Sequence, residues 1–202
     1  MKSSISIVLM TILSMSVFAQ APDLRAAFKK SYANETKGDL PAAIKDLKAV
    51  YGEGTYDLNL RLGWLYYSAG LHTESMAYYK KSIDLMPASV EAKFGYVYPA
   101  AAVGNWDQVV IQYENILRID AKNSQAHYRL GLIYYNRAEL DKALQHFQVG
   151  SNLYPFDYDF TLMLAWTSLK MGKMREAKVL FNKVLLISPD DASAMEGLSL
   201  IK

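Results

Sequence analysis

Three histidines, His72, His127 and His146, are the side chains best suited to proton transfer or metal ligation near neutral pH. They lie far apart, and no His-Glu-x-x-His segment or His/Asp cluster accompanies them, so neither a metal centre nor a catalytic group is expected from them. Acidic pairs such as Asp190-Asp191 read as helix caps, because a carboxylate ahead of an apolar run accepts the free N–H groups of a first turn. No nucleophile elbow, Walker loop or dinucleotide-binding glycine pattern occurs. Cysteine is absent, which removes thiol nucleophiles, thiolate ligands, disulfides and lipid attachment through an N-terminal cysteine. The chain reads as a non-enzymatic protein without metal or cofactor.

What remains is a chemistry of contact. The 202 residues include 15 Tyr, 7 Phe and 3 Trp, side chains that combine a large apolar body with, in Tyr and Trp, a polar tip. A hydrophobic fraction of 51% and a charged fraction of 21% are those of one ordinary globular domain with a real core, not of a disordered chain. The 22 basic and 20 acidic residues leave a formal net charge of +2, with no basic run, so no nucleic-acid partner is expected.

Residues 1–19 stand apart from the rest. Lys2 precedes an uncharged stretch from Ile5 to Phe18, and Val17-Phe18-Ala19 supplies a small-x-small cleavage pattern. A permanent span needs about 20 apolar residues, so the stretch reads as a signal peptide cut between Ala19 and Gln20, leaving no stable transmembrane segment. It has bacterial form, which makes the periplasm the expected compartment. Secretion is the alternative, or an inner-membrane anchor if cleavage does not occur. Asn34-Glu35-Thr36 has the form of a glycosylation sequon and is read as chance in a bacterial chain.

The rest of the chain repeats itself. Gly70, Gly104, Ala138 and Gly172 recur at intervals of 34, and Gly38 precedes Gly70 by 32. Each is followed by an apolar-periodic run, and three of those runs end in proline, at Pro87, Pro155 and Pro189. A period therefore holds two helices of about 13 residues, and no alternating strand pattern appears.

The fourth period reads His127-x2-Leu130-Gly131-x2-Tyr134, then Ala143-x3-Phe147, then Pro155. The second reads Asn59-x2-Leu62-Gly63-x2-Tyr66, Ser75-x3-Tyr79, Pro87, and the fifth Thr161-x2-Leu164-Ala165-x2-Ser168, Ala177-x3-Phe181, Pro189. The third is degenerate, and the first keeps only Ala43 and Leu47 clearly. This pattern resembles the tetratricopeptide repeat, W-x2-L-G-x2-Y followed by A-x3-F and P, over about residues 22–202. The resemblance implies an all-α, right-handed superhelical solenoid of antiparallel helix pairs. Its units would be about 24–55, 56–89, 90–123, 124–157 and 158–191, with a C-terminal cap at 192–202.

Small residues at helix crossings agree with it: Gly63, Gly131 and Ala165 on the first helix, Ser75, Ala143 and Ala177 on the second. Tyr66, Tyr79, Tyr134, Phe147 and Phe181 would fill the layers between. His127 takes the place of a family aromatic and is expected in the core or at its edge. Pro99 lies inside a first helix and is expected to kink or loosen it, either as tolerated divergence or as a bend that widens the groove.

In this family the first helices line a concave face that receives extended or helical peptides. Facing away from the Leu-Gly-Tyr set, one row reads Tyr32, Trp64, Tyr98, Leu132, Trp166; a second Phe28, Leu60, Phe94, Tyr128, Leu162; a third Glu35, Tyr67, Ala101, Tyr135, Leu169. The second row can instead pack between neighbouring helices. Arg61, Arg129, Asn136 and Lys170 lie beside them, and aromatics interleaved with arginine are the composition of binding hot spots. The candidate ligand-binding residues are Tyr32, Arg61, Trp64, Tyr67, Tyr98, Arg129, Tyr135, Asn136, Trp166 and Lys170. Phe28 and Tyr32 stand where chaperone-binding members would need the Lys and Asn of a carboxylate clamp, so that use of the groove is not expected. The resemblance implies a scaffold with a protein or peptide partner. A homo-oligomeric assembly module and a cell-wall glycan binder are the alternatives.

Overall fold

The computed structural model describes residues 23–52 and 54–201. The expected signal peptide at residues 1–19 lies outside the described residues. Eleven helices and no strand occur among those described. Five antiparallel pairs run α1 (Leu24–Thr36) with α2 (Leu40–Lys48), α3 (Tyr56–Ser68) with α4 (His72–Leu85), α5 (Val90–Ala102) with α6 (Trp106–Ile119), α7 (Ser124–Asn136) with α8 (Leu140–Leu153), and α9 (Tyr158–Lys170) with α10 (Met174–Ile187). A last short helix, α11 (Ala192–Ser199), packs on α10 and α9. The chain is an all-α solenoid. No described helix is long and apolar enough to cross a membrane.

Local chemistry sets the helix ends. Asp23, Thr55, Ser89, Asn123, Asp157 and Asp191 cap α1, α3, α5, α7, α9 and α11, each side chain accepting an N–H three residues on. Of the pair Asp190-Asp191 it is therefore Asp191 that caps. Within each pair the chain reverses through a left-handed residue, at φ +78° in Gly38, +74° in Gly70 and Gly104, and +75° in Gly172. Ala138 adopts φ 59° at the corresponding place and carries the steric cost of its Cβ there.

The crossings sit where the spacing puts them. A Cβ on Gly131 would lie 2.5 Å from the Phe147 ring, and one on Gly63 2.8 Å from Tyr79. Ser75 Oγ donates to the Gly63 carbonyl at 2.7 Å across the second pair. Ala43, Ala143, Ala165, Ala177, Phe147 and Phe181 are fully buried. A second set of contacts joins one unit to the next and has no counterpart in the sequence reading: Gly95 against Tyr79, Gly150 against Phe160 and Gly197 against Phe181.

The place of the family tryptophan holds Asn59, Lys93, His127 and Thr161, all buried. Each bonds a carbonyl at the N-cap of its own helix or in the loop just before it. Asn59 Nδ2 donates to Thr55 O at 2.8 Å and Thr161 Oγ1 to Asp157 O at 2.6 Å. Lys93 Nζ donates to Pro87 O and Ser89 O, and burial lowers its pKa. A polar side chain tied to the segment between units thus stands in the place of the tryptophan, and the buried donor is not orphaned.

Pro99 is buried, and α5 runs through it without a break. The expected loosening is not seen: Val103 N still donates to Pro99 O, and the turn at Gly104 closes as in the other units.

Candidate binding groove on the first helices

The first helices do not stand at equal intervals, and one position in the repeat differs from unit to unit. Residues 61, 95, 129, 163 and 197 recur at 34 and read Arg, Gly, Arg, Met, Gly. Gly95 lets α5 close on Tyr79 of α4 and Gly197 lets α11 close on Phe181 of α10. Here α5 also reaches α3 and α11 reaches α9, and α9, with Met163 at this place, reaches α7. At Arg61 and Arg129 the long side chain takes that space. No Cα of α3 comes within 8 Å of α1, and none of α7 within 8 Å of α5. Two seams open on the face of the first helices, at the two arginines.

The first seam borders a cleft of about 560 Å³ lined by Phe28, Tyr32, Arg61, Trp64 and Tyr98, among others. Its arginine is already engaged. Arg61 ion-pairs with Glu35, and its guanidinium lies 4.0 Å from the Tyr32 ring centroid. Trp64 Nε1 donates to the other Glu35 oxygen at 2.7 Å. The Arg61 and Trp64 hydrogen bonds hold the Glu35 carboxyl below its ordinary pKa, against the opposing effect of burial. The second seam borders a cleft of about 440 Å³, walled by Tyr67, Tyr98, Ala101, Trp106 and Leu132, with Arg129 and Asn136 beside them.

Seven of the ten candidates therefore gather at the two clefts. Tyr32, Trp64 and Tyr98 are 52%, 43% and 48% exposed, and Tyr67 bridges the latter two at ring distances of 6.1 and 5.9 Å. Tyr135 and Lys170 form a separate pair, the ammonium 3.8 Å from the ring centroid. Trp166 is half-buried: its ring packs on Phe181 at 5.1 Å and its Nε1 donates to Ser193 Oγ at 2.9 Å. Most of the second row packs inward, although Phe28, Leu60 and Phe94 also line the first cleft. Phe28, Phe94, Tyr128 and Leu162 lie against the core clusters, Tyr128 on Phe160 at 5.5 Å. Two participants were not selected from the sequence as binding residues. Glu35 was placed in the third row without a role. Trp106, 49% exposed, opens a second helix, where the first-helix periodicity carries no signal.

The histidines require a correction. His127 and His146 are not far apart: the antiparallel hairpin brings their Nδ1 atoms to 3.0 Å. His127 Nε2 donates to the Ala121 carbonyl at 3.1 Å, since that oxygen can only accept. Burial, then the charge of His127, lower the His146 pKa to about 4, and its ring stacks on Tyr134 at 5.6 Å. The pair is a hydrogen bond inside the fourth unit. Among the described residues no three His, Asp or Glu side chains gather to hold a metal.

The tetratricopeptide repeat pattern matches residues 56–89, 159–191 and 99–157. The TPR repeat-containing protein YpiA of Bacillus subtilis (strain 168) is 23% identical over 145 residues, 72% of this chain but 34% of that protein, so the chain spans about a third of that relative's length. Among solved structures, a tetratricopeptide repeat protein from Parabacteroides merdae ATCC 43184 superposes with a TM-score of 0.74 at 22% identity, over 86% of this chain and 70% of that one. A MamA structure gives 0.71 at 22%, over 84% and 93%, and MamA from Desulfovibrio magneticus RS-1 gives 0.68 at 16%, over 84% and 97%. At these identities the structural likeness concerns the fold. With the repeat pattern covering most of the described residues in register, the chain belongs to the tetratricopeptide-repeat family.

Proposed function

We propose that this protein is a non-enzymatic adaptor of the bacterial envelope that holds a protein or peptide partner against the face of its first helices. Membership of the family supports a protein-interaction role. The observation that carries the groove reading is the row Tyr32, Trp64 and Tyr98, roughly half exposed on three successive first helices and continuous with two clefts. Contiguous exposed aromatics cost free energy in water, and a partner that covers them recovers it. Rigid rings lose little side-chain entropy when they do so.

Affinity capture from envelope extract tests the reading. Tyr98→Ala should weaken retention of a wild-type partner by about 2 kcal/mol, some thirtyfold, with little change in melting temperature, because the residue is about half exposed and belongs to none of the core clusters. Partners retained unchanged by Tyr98→Ala and by Trp64→Ala would move the binding site elsewhere. Export is a further part of the proposal and rests on residues 1–19. The intact mass of the protein recovered from the periplasm should correspond to a chain beginning at Gln20. A mass that retains Met1 would mean an anchored protein.

Self-association is the second reading, favoured by Val179 and Leu186 on α10, 68% and 75% exposed. A mass that rises with concentration, and falls back on Leu186→Lys, would support it.

A further inference from the structure

We propose that the cleft between the third and fourth units is a socket for an acidic side chain of the partner, received by Arg129. The proposal rests on the groove reading above and gives the partner its chemistry. What carries it is internal to the chain: the same socket occurs twice, once filled and once open.

At the first seam Arg61 of α3 reaches across to α1, where Tyr32 supplies a ring and Glu35 a carboxylate. Arg129 of α7 stands two periods further on, facing α5. Allowing for the two residues that the first unit lacks, Tyr98 occupies the place of Tyr32, and Ala101 occupies the place of Glu35. The cation and the ring keep their places in the register, without the Arg61–Tyr32 stacking among the described residues, and the carboxylate is gone. Arg61 is 10% exposed in its side chain and paired, whereas Arg129 is exposed, with no carboxylate within 4.0 Å among the described residues. The small Ala101 leaves its share of the volume to the cleft of about 440 Å³.

A guanidinium at the edge of an apolar cleft is partly desolvated and has its planar fork of donors unused. A carboxylate entering where Glu35 sits at the other seam forms the charge-assisted bonds that Arg61 already makes. Asn136, on the same cleft, offers an amide donor in place of the Trp64 indole, since Leu132 stands at the tryptophan's register. Val97, Tyr113 and Ile133 give the cleft an apolar floor. The occupant is therefore an Asp or Glu beside an apolar residue in an extended segment, and not a free inorganic anion, which would leave that floor wet.

An array of random ten-residue peptides, probed with the labelled protein, tests this. Wild-type binders should be enriched in Asp or Glu next to an apolar residue. Arg129→Gln should abolish that enrichment and weaken the best peptide by at least about tenfold. Ala101→Glu rebuilds the filled socket from within. It should weaken the same peptide to a similar degree while its melting temperature stays at or above wild type, and adding Arg129→Gln should lower that temperature. Acidic enrichment that survives both substitutions overturns the proposal. Peptides that bind without acidic preference and are lost on Tyr98→Ala overturn it while leaving the groove reading standing. Capture of no peptide by the wild-type protein overturns both.

Discussion

Gly131→Leu should lower stability by about 3 kcal/mol, and the melting temperature by roughly 6–12 °C for a chain of this size. Gly131 lies where α7 crosses α8, and a Cβ there would already stand 2.5–2.8 Å from three atoms of the Phe147 ring. Phe147 is fully buried, so the ring has no empty space to swing into. Relief must come from separating the backbones of α7 and α8, which also draws apart His127 and His146. The damage would not stay in one unit. A solenoid is held by contacts between neighbours, and Phe147 shares its cluster with Phe160 and Leu164 of the next pair. Gly131→Ala combined with Phe147→Leu should recover part of the loss, which makes the collision, rather than helix propensity, the measured term. A wild-type melting temperature for Gly131→Leu would mean that this face of α7 looks to solvent, and the register of all five pairs would fall with it.

That register was readable because it depends on contacts within a unit. A small residue at each crossing and a large one filling the layer repeat at 34, and a periodic constraint is visible in a single sequence. The contacts between units were less visible, because they use residues that do not repeat. Gly95 and Gly197 admit Tyr79 and Phe181 of the preceding unit while Arg61 and Arg129 stand at the same register beside the two open seams, and only three-dimensional placement reveals those seams. The His127–His146 pair was missed for a related reason. Nineteen residues of sequence separation measure nothing once a hairpin folds the chain back on itself. Glu35 and Ala101 show the same limit from the side of function. They share a row in the sequence, and their opposite consequences follow from what each finds across its seam.

The two tryptophans of the first row carry the clearest experimental contrast. Trp64 and Trp166 occupy equivalent places three periods apart, and from sequence alone they are the same residue in the same groove. Trp64 lies beside an open seam and remains 43% exposed, its indole turned back to Glu35 of the preceding unit. Trp166 instead turns forward. α11 follows at once, closes on Phe181 of α10 through Gly197, touches α9, and brings Ser193 Oγ to within 2.9 Å of the indole nitrogen. Its ring closes edge-on against Phe181, at the centre of the cluster that joins α9, α10 and α11. Trp166→Ala should therefore cost about 3 kcal/mol, the lower end for truncating a buried aromatic, and should release α11 first. Hydrogen exchange would register that release as lost protection from about Ala194 to Leu200, with α1 to α6 unchanged. Trp64→Ala should cost under about 1 kcal/mol, since its ring is half in water and Glu35 keeps Arg61. Equal and small losses for both would return Trp166 to the open groove. A large loss for Trp166 alone would place the end of the groove before the fifth unit, where α11 closes the solenoid.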